Sequence, residues 1–247
     1  MEVGFKSDKG IYRSNNEDAC FVLPDKVYVV ADGVGGGNSG EIASRTAVNE
    51  IANYVKSHPI SKMQNRDQIV GYFQACLDST NQKIYNLAHT YAENTGMATT
   101  IAIVYVRSGK AYIANVGDSR VYVCRAGNLQ QLTEDHTYVN TLVKAGILTR
   151  QQAEQDERKN VITKAVGAES TIEPDYFQVE IKKDDVFIIC TDGLYDEVDN
   201  TEITNVIEKS RSVSEMCSEL IAHANKNGGH DNITVISLKV TEEDIIE

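Results

Sequence analysis

Two stretches of the chain are apolar at every position, and both run into the same pair of residues. Val27-Tyr28-Val29-Val30-Ala31 leads to Asp32-Gly33, and Val186-Phe187-Ile188-Ile189-Cys190 leads through Thr191 to Asp192-Gly193. A short continuous apolar run bounded by turn formers reads as a buried strand. One Asp-Gly after such a strand is ordinarily a turn. Two copies carry more weight, because converging buried strand ends would bring like-charged carboxylates together. That is costly unless a cation neutralises them. Oxygen donors without a Cys/His cluster select Mg²⁺ or Mn²⁺ over Zn²⁺. A glycine after the aspartate also lets a backbone carbonyl approach an ion closely.

Other acids fall at comparable places. Glu17-Asp18 opens the strand-like segment Ala19–Leu23, Asp231 opens the last strand in Gly229-His230-Asp231-Asn232, and Asp118 lies in a strand-to-strand turn, Gly117-Asp118-Ser119-Arg120. A carboxylate-held metal cluster suits two-metal hydrolysis, in which a water between two ions becomes hydroxide-like near neutral pH and attacks phosphorus in line. Arg13 offers a planar fork that can hold phosphate oxygens bidentately.

The remaining pattern predicts an α+β fold. From Asn38 to about His58, Ala43, Ala47, Ile51, Tyr54 and Val55 form one helical face. A second amphipathic helix carries Ile69, Phe73, Cys76, Leu77, Thr80, Ile84, Leu87, Ala88 and Tyr91. Ala98–Val106, Ala111–Val116 and Arg120–Arg125 then read as antiparallel strands joined by hairpins. Residues about 136–165 are polar and irregular, as expected of an insertion over a rigid frame. Strands return at Tyr176–Ile181 and Val186–Cys190. A helix over about Ser214–Lys226 precedes a last strand, Ile233–Val240. No regular βαβ alternation appears, which argues against a doubly wound sheet.

Composition removes whole classes. With 41% hydrophobic and 24% charged residues among 247, the chain reads as globular. A formal net charge of −12 argues against general nucleic-acid binding and against docking on anionic membranes. No apolar run approaches the ~20 residues of a membrane helix. The N-terminus lacks the basic and apolar regions of a signal peptide. The five cysteines, Cys20, Cys76, Cys124, Cys190 and Cys217, are widely spaced, with no CxxC motif and no disulfide framework. A reducing, cytoplasmic compartment is the expectation.

Taken in order, these motifs resemble those of the metal-dependent protein serine/threonine phosphatases of type 2C, the PPM family, in its bacterial form. Ser7-Asp8-Lys9-Gly10 and Arg13-Ser14-Asn15-Asn16-Glu17-Asp18 resemble the opening motif, and Ala31-Asp32-Gly33-Val34-Gly35-Gly36 resembles the first metal motif. Asn115-Val116-Gly117-Asp118-Ser119-Arg120 resembles the central hairpin. Leu132-Thr133-Glu134-Asp135-His136 and Ile162-Thr163-Lys164-Ala165-Val166-Gly167 resemble the borders of a flap. Thr191-Asp192-Gly193-Leu194 and Gly229-His230-Asp231-Asn232-Ile233-Thr234 resemble the last two metal motifs. Each motif is short, and their collinearity carries the resemblance.

The resemblance implies a four-layer αββα sandwich, two central antiparallel β-sheets flanked by helix pairs. It implies a single catalytic domain over 1–247 with a flap at about 136–165. It implies one-step hydrolysis of phosphoserine and phosphothreonine in proteins by a metal-activated water. The implied cofactor is Mn²⁺ or Mg²⁺, as two ions with a third in bacterial members. Asp32 would bridge both ions, Gly33 would offer its carbonyl, and Asp192 and Asp231 would ligate the second. Asp118 with Asp192 would hold the third. Glu17 and Asp18 would orient bound waters from behind, and Arg13 would bind the substrate phosphate. Phosphoproteins are the implied partners in a signalling role, with room for an opposing serine/threonine kinase.

One departure concerns the proton that a serine alkoxide needs on leaving. Eukaryotic members commonly carry His where this chain has Val34. A metal-bound water is then the first candidate donor and His136 the second. Two rival readings follow from the same residues. Gly35-Gly36-Gly37-Asn38-Ser39-Gly40 formally fits GxGxxG, but the acidic ribose ligand of a dinucleotide site would fall near Val55 inside a helix. A P-loop fails because Glu41 stands where Lys is needed. The other rival is a pseudophosphatase that keeps the fold and binds phosphoproteins without turnover.

Overall fold

The computed structural model describes residues 1–36 and 39–246. Gly37 and Asn38 of the glycine-rich stretch lie outside the described residues, as does Glu247. The chain enters on β1 (Glu2–Asp8), β2 (Asp18–Leu23) and β3 (Val27–Val34), followed by two long helices, α1 (Ser39–Ser57) and α2 (Arg66–Thr90). Five strands come next: β4 (Ala98–Thr99), β5 (Ile101–Arg107), β6 (Lys110–Val116), β7 (Arg120–Arg125) and β8 (Asn128–Gln131). Two short helices, α3 (Tyr138–Lys144) and α4 (Arg150–Glu154), precede β9 (Asp175–Glu180) and β10 (Val186–Cys190). The chain closes with α5 (Asp192–Tyr195), α6 (Asn200–Lys209), α7 (Val213–Asn227), β11 (Ile233–Lys239) and α8 (Glu243–Ile246).

Two antiparallel sheets result, in the orders β1-β11-β10-β7-β8 and β2-β3-β5-β6-β9, with β4 beside β3. The apolar runs explain how they stack. In β3, Val27, Val29 and Ala31 face α1 and α2, while Tyr28 and Val30 face the other sheet. In β10, Val186, Ile188 and Cys190 face α6 and α7, while Phe187 and Ile189 meet the sheet that contains β3. A strand with helices on one face and a sheet on the other has no solvent side, so alternation disappears. Each fully buried Val, Ile or Phe contributes about 1.5–3 kcal/mol relative to exposure. The architecture is the αββα sandwich that the resemblance implied.

The predicted helices are α1, α2 and α7. The starts of α2 and α7 are set by side-chain caps where the periodicity is silent: Asn65 accepts from Gln68 N–H at α2, and Ser212 accepts from Glu215 N–H at α7. The expected strand over Ala98–Val106 is divided, because Thr100 turns its backbone and hydroxyl toward Asp32 and leaves β4 paired to the end of β3. The periodicity did not reveal β1 or α6. β1 is an edge strand with mostly exposed positions, paired to β11 from Glu2↔Lys239 to Asp8↔Ile233. α6 buries only Ile203, Val206 and Ile207. Among the described residues no helix is long and apolar enough to cross a membrane.

Candidate metal centre

The acids meet where both sheets end. β2 and β3 pair Asp18 directly with Asp32. The chain crosses between sheets at β6–β7, and Asp118 sits in that crossing. β10 ends into Asp192, the first residue of α5, and Asp231 lies just ahead of β11. Thr191 ties these ends together. Its N–H donates to Thr234 O (3.1 Å), its hydroxyl oxygen accepts from Thr234 N–H (3.0 Å), and its hydroxyl donates to Asp18 Oδ2 (2.9 Å).

The backbone of Asp32 is held as firmly. Its N–H donates to Thr100 Oγ1 (3.0 Å), and its carbonyl accepts from Thr100 N–H (2.8 Å) and Thr99 Oγ1 (2.8 Å). Thr100 Oγ1 also bonds Ser119 Oγ at 2.7 Å, which links β3 to the turn carrying Asp118. Gly33 and Gly193 serve close packing of backbones. A Cβ on Gly33 would lie 1.9 Å from Gly40 O, and one on Gly193 would lie 2.0 Å from Asn232 O.

Asn232 anchors the loop that bears Arg13. Its Nδ2 donates to Lys9 O (2.9 Å) and Asn15 O (2.8 Å), and its Oδ1 accepts from Glu17 N–H (2.7 Å). Arg13 Nη2 then donates to Asp231 Oδ2 at 2.6 Å, with the Arg13 side chain half exposed. Glu41 extends the same region, accepting from Asn15 Nδ2 at 2.7 Å and pairing with Arg45 at 2.5 Å. The position where a P-loop needs its lysine is thus a carboxylate within a polar network.

Electrostatics single out this end of the molecule. Burial first, then the charges of Asp192, Asp18, Asp118 and Asp231, hold the Asp32 carboxyl well above the ordinary aspartate range. Burial chiefly pushes Asp18 up to about 7, against the hydrogen bonds from Thr234 and Thr191. Burial and Asp192 raise Asp118 to about 8, and burial and Asp231 raise Asp192 to about 6. Glu17 is also raised by burial, with Arg13 pulling the other way. Asp18 Oδ1 and Asp192 Oδ1 are buried oxygens with no hydrogen-bond partner. Orphaned carboxylate oxygens beside mutually repelling carboxylates fit a hard divalent cation. Among the described residues no three His, Cys, Asp or Glu side chains are grouped so as to hold a metal ion as they stand. Repulsion among the carboxylates opposes closer grouping without a cation, and the donors that converge here are oxygen only.

The expected residues therefore come together: Asp32, Gly33, Asp118, Asp192 and Asp231, with Glu17 and Asp18 adjoining and Arg13 at the rim. His136 does not join them as a proton donor. It is 6% exposed, its Nδ1 accepts from Gly117 N–H (3.0 Å), and its Nε2 faces Asp175 Oδ2 (3.2 Å). His230 lies at the mouth, stacked on Tyr12 with ring centroids 5.0 Å apart and its Nδ1 2.6 Å from Glu197. Periodicity and charge did not single out Thr191, Thr100 or Tyr195, whose hydroxyl donates to Asp118 O at 3.0 Å. Thr191 has one signal, its place just before Asp192; Thr100 stands among apolar and threonine neighbours, and Tyr195 three residues beyond that aspartate.

A sandwich with an oxygen-only acidic centre at one end defines a metal-dependent hydrolase. Known proteins carry the assignment further. A sequence model of the family described as Protein phosphatase 2C matches residues 12–235. The serine/threonine phosphatase stp of Listeria monocytogenes is 34% identical over 240 residues, covering 96% of this chain and 94% of its own. The crystal structure of the serine/threonine phosphatase Stp1 from Staphylococcus aureus superposes with a TM-score of 0.91 at 31% identity, covering 97% of this chain and 95% of that one. The catalytic domain of the phosphatase PstP, solved with two manganese ions, gives a TM-score of 0.86 at 29% identity, covering 98% of each chain. The chain belongs to the protein phosphatase 2C family, the serine/threonine protein phosphatases that its motifs resemble.

Proposed function

We propose that the acidic end of the sandwich is where this phosphatase hydrolyses phosphoserine and phosphothreonine esters of proteins, with Mn²⁺ or Mg²⁺ as cofactor. The observation that carries the reading is Asp32: paired across the sheet with Asp18, its one carboxyl feels four other aspartates from separate segments. Asp32, the Gly33 carbonyl, Asp192 and Asp231 would hold two ions, and Asp118 with Asp192 a third. The two manganese ions bound by PstP support Mn²⁺ here. When bound, such ions neutralise the carboxylates and activate a water for in-line attack near neutral pH.

The chain's own groups do the rest. Arg13, half exposed at the rim, turns its guanidinium fork to the phosphate and keeps Asp231 beside it. Asp18, bonded to Thr191 and otherwise unpartnered at Oδ1, orients solvent from behind the centre, as does Glu17. Val34 supplies no proton, and His136 is buried with its Nδ1 on the Gly117 N–H and its Nε2 turned toward Asp175. The proton for the leaving alkoxide therefore comes from solvent within the centre. The net charge of −12 supports phosphoprotein substrates over nucleic acid or anionic membranes. Five free thiols support a cytoplasmic location, and an opposing serine/threonine kinase completes the signalling role.

Mn²⁺-dependent hydrolysis of p-nitrophenyl phosphate is the direct test. D32N and D192N each lower kcat/KM by about a thousandfold, since several kcal/mol of transition-state stabilisation is lost. Absence of turnover in the unaltered chain with both Mn²⁺ and Mg²⁺ would instead identify a binding protein on a phosphatase fold.

A further inference from the structure

His136 stands where the flap leaves the sheets, and its backbone closes that root. Its N–H donates to Gly117 O (3.0 Å) and its carbonyl accepts from Thr163 N–H (2.7 Å). An antiparallel bridge between Thr137 and Ile162 follows. The side chain reaches in two directions. Nδ1 accepts from Gly117 N–H at 3.0 Å, so the ring proton of the neutral imidazole lies on Nε2. Nε2 is 3.2 Å from Asp175 Oδ2, though bent away from hydrogen-bond alignment. Asp175 begins β9, in register with Asn115 of β6, and its Oδ1 lies 3.8 Å from Lys164 Nζ at the other end of the flap. One carboxylate on the rigid sheet thus faces both ends of the flap.

Gly117 is the residue before Asp118, and its φ is +99°. Its peptide groups are held by side chains on both sides: the N–H by His136 and the C=O by Asn115 Nδ2 at 3.2 Å. Tyr195 holds the carbonyl of Asp118 itself. The direction in which the Asp118 carboxylate leaves the turn is set by these contacts.

We propose that His136 is a positioning residue for Asp118, its Nδ1 lone pair holding the Gly117 amide while Asp175 keeps the ring oriented, so that the flap root and the Asp118 turn move as one unit. This rests on the reading that Asp118 holds an ion. It assigns His136 neither contact with substrate nor a proton transfer.

The test uses the full chain, stripped of metal and titrated with Mn²⁺ by calorimetry, together with NMR exchange of the Gly117 amide. D118N defines the binding event that Asp118 supports. H136A weakens that same event by about 10- to 100-fold, the usual cost of losing a partner that orients a metal ligand. The other binding is unaltered, and the Gly117 amide exchanges faster. H136N, whose Oδ1 can stand in for Nδ1, recovers most of the affinity and the amide protection. H136Q, whose amide reaches toward Asp175, does not. If H136A fails to fold, the contrast between H136N and H136Q decides. Equal losses in H136N and H136Q overturn the proposal, as does unaltered Mn²⁺ binding in H136A where D118N removes an event. If D118N leaves all Mn²⁺ binding intact, the reading of Asp118 is what fails. The Gly117 exchange rates then show separately whether His136 holds the turn.

Discussion

Gly33 shows how much a single position can carry. An added Cβ would lie 1.9 and 2.4 Å from the carbonyl oxygen and carbon of Gly40 and 2.7 Å from Glu17 O, all backbone atoms. Backbone cannot step aside as a flexible side chain does. G33A is therefore expected to cost about 3 kcal/mol and to lower the melting temperature of the metal-free chain by about 6–12 °C. Thermal denaturation in EDTA checks this, and an unchanged transition would show that α1 shifts at little cost. The aspartates were legible at this scale because each follows or opens an apolar strand, a pattern visible in one dimension. Thr191, Thr100 and Asn232 were not. A threonine or asparagine that bonds across a site looks like any turn residue until its partners, 173 positions away for Thr191 and Asp18, are in place.

Between residue and molecule, the flap is the element least determined by its own sequence. Its two short helices, α3 and α4, are capped by Thr137 and Thr149, the latter in a reciprocal capping box with Gln152. Each buries little of itself: Val139 in α3 and Ala153 in α4. Exposed apolar side chains at Ile147 and Val161 leave its surface suited to contact with a peptide. Lys159 reaches from it to Asp196, 2.8 Å away in the turn after α5. Shortening the flap between Ala145 and Lys159 is expected to change selectivity among phosphopeptides at least about tenfold, equivalent to 1.4 kcal/mol of differential binding. Turnover of p-nitrophenyl phosphate, too small to reach it, should move much less. Side-by-side kinetics on a phosphopeptide panel and p-nitrophenyl phosphate decide this, and parallel losses on both would assign the flap to catalysis. The helical signals in this stretch are weak because short capped helices lean on hydrogen bonds, and periodicity needs several turns to register. β1 escaped for a related reason: as an edge strand its stability comes from the ladder with β11, a partner more than two hundred residues away.

Across the whole molecule, charge governs behaviour. In the metal-free protein the carboxyls of Asp192, Asp18 and Asp118 are raised from an ordinary value of 3.8 to about 6, 7 and 8. Between those values the folded chain holds more protons than the unfolded one. Their contribution to stability is full below about pH 4 and is lost as pH rises through 6 to 8. Asp244 has the opposite sign. Its burial is outweighed by the N-terminal ammonium, Thr241 and Lys26, which bring it down to about 2. Its contribution is therefore lost only on acidification below pH 4, outside this window. Melting in EDTA should fall from pH 5 to pH 8, and the stabilisation by saturating Mn²⁺ should grow over the same range, because the ions bind the deprotonated carboxylates. Calorimetry at several pH values checks both, and a flat or rising profile in EDTA would show that the aspartates are not coupled.

The sequence pattern by itself determined the α+β class and the oxygen-donor chemistry, while the four layers followed from the family resemblance. Short uninterrupted apolar runs bounded by turn formers read as strands buried on both faces, and aspartates at their ends supply hard oxygen donors. Tertiary structure alone decided which carboxylates share one buried place, that Asn232 secures the Arg13 loop, and that His136 faces inward to the Gly117 amide. Those outcomes depend on register between strands and on chain crossings between sheets. Such pairings join residues far apart in sequence, and no local pattern encodes them.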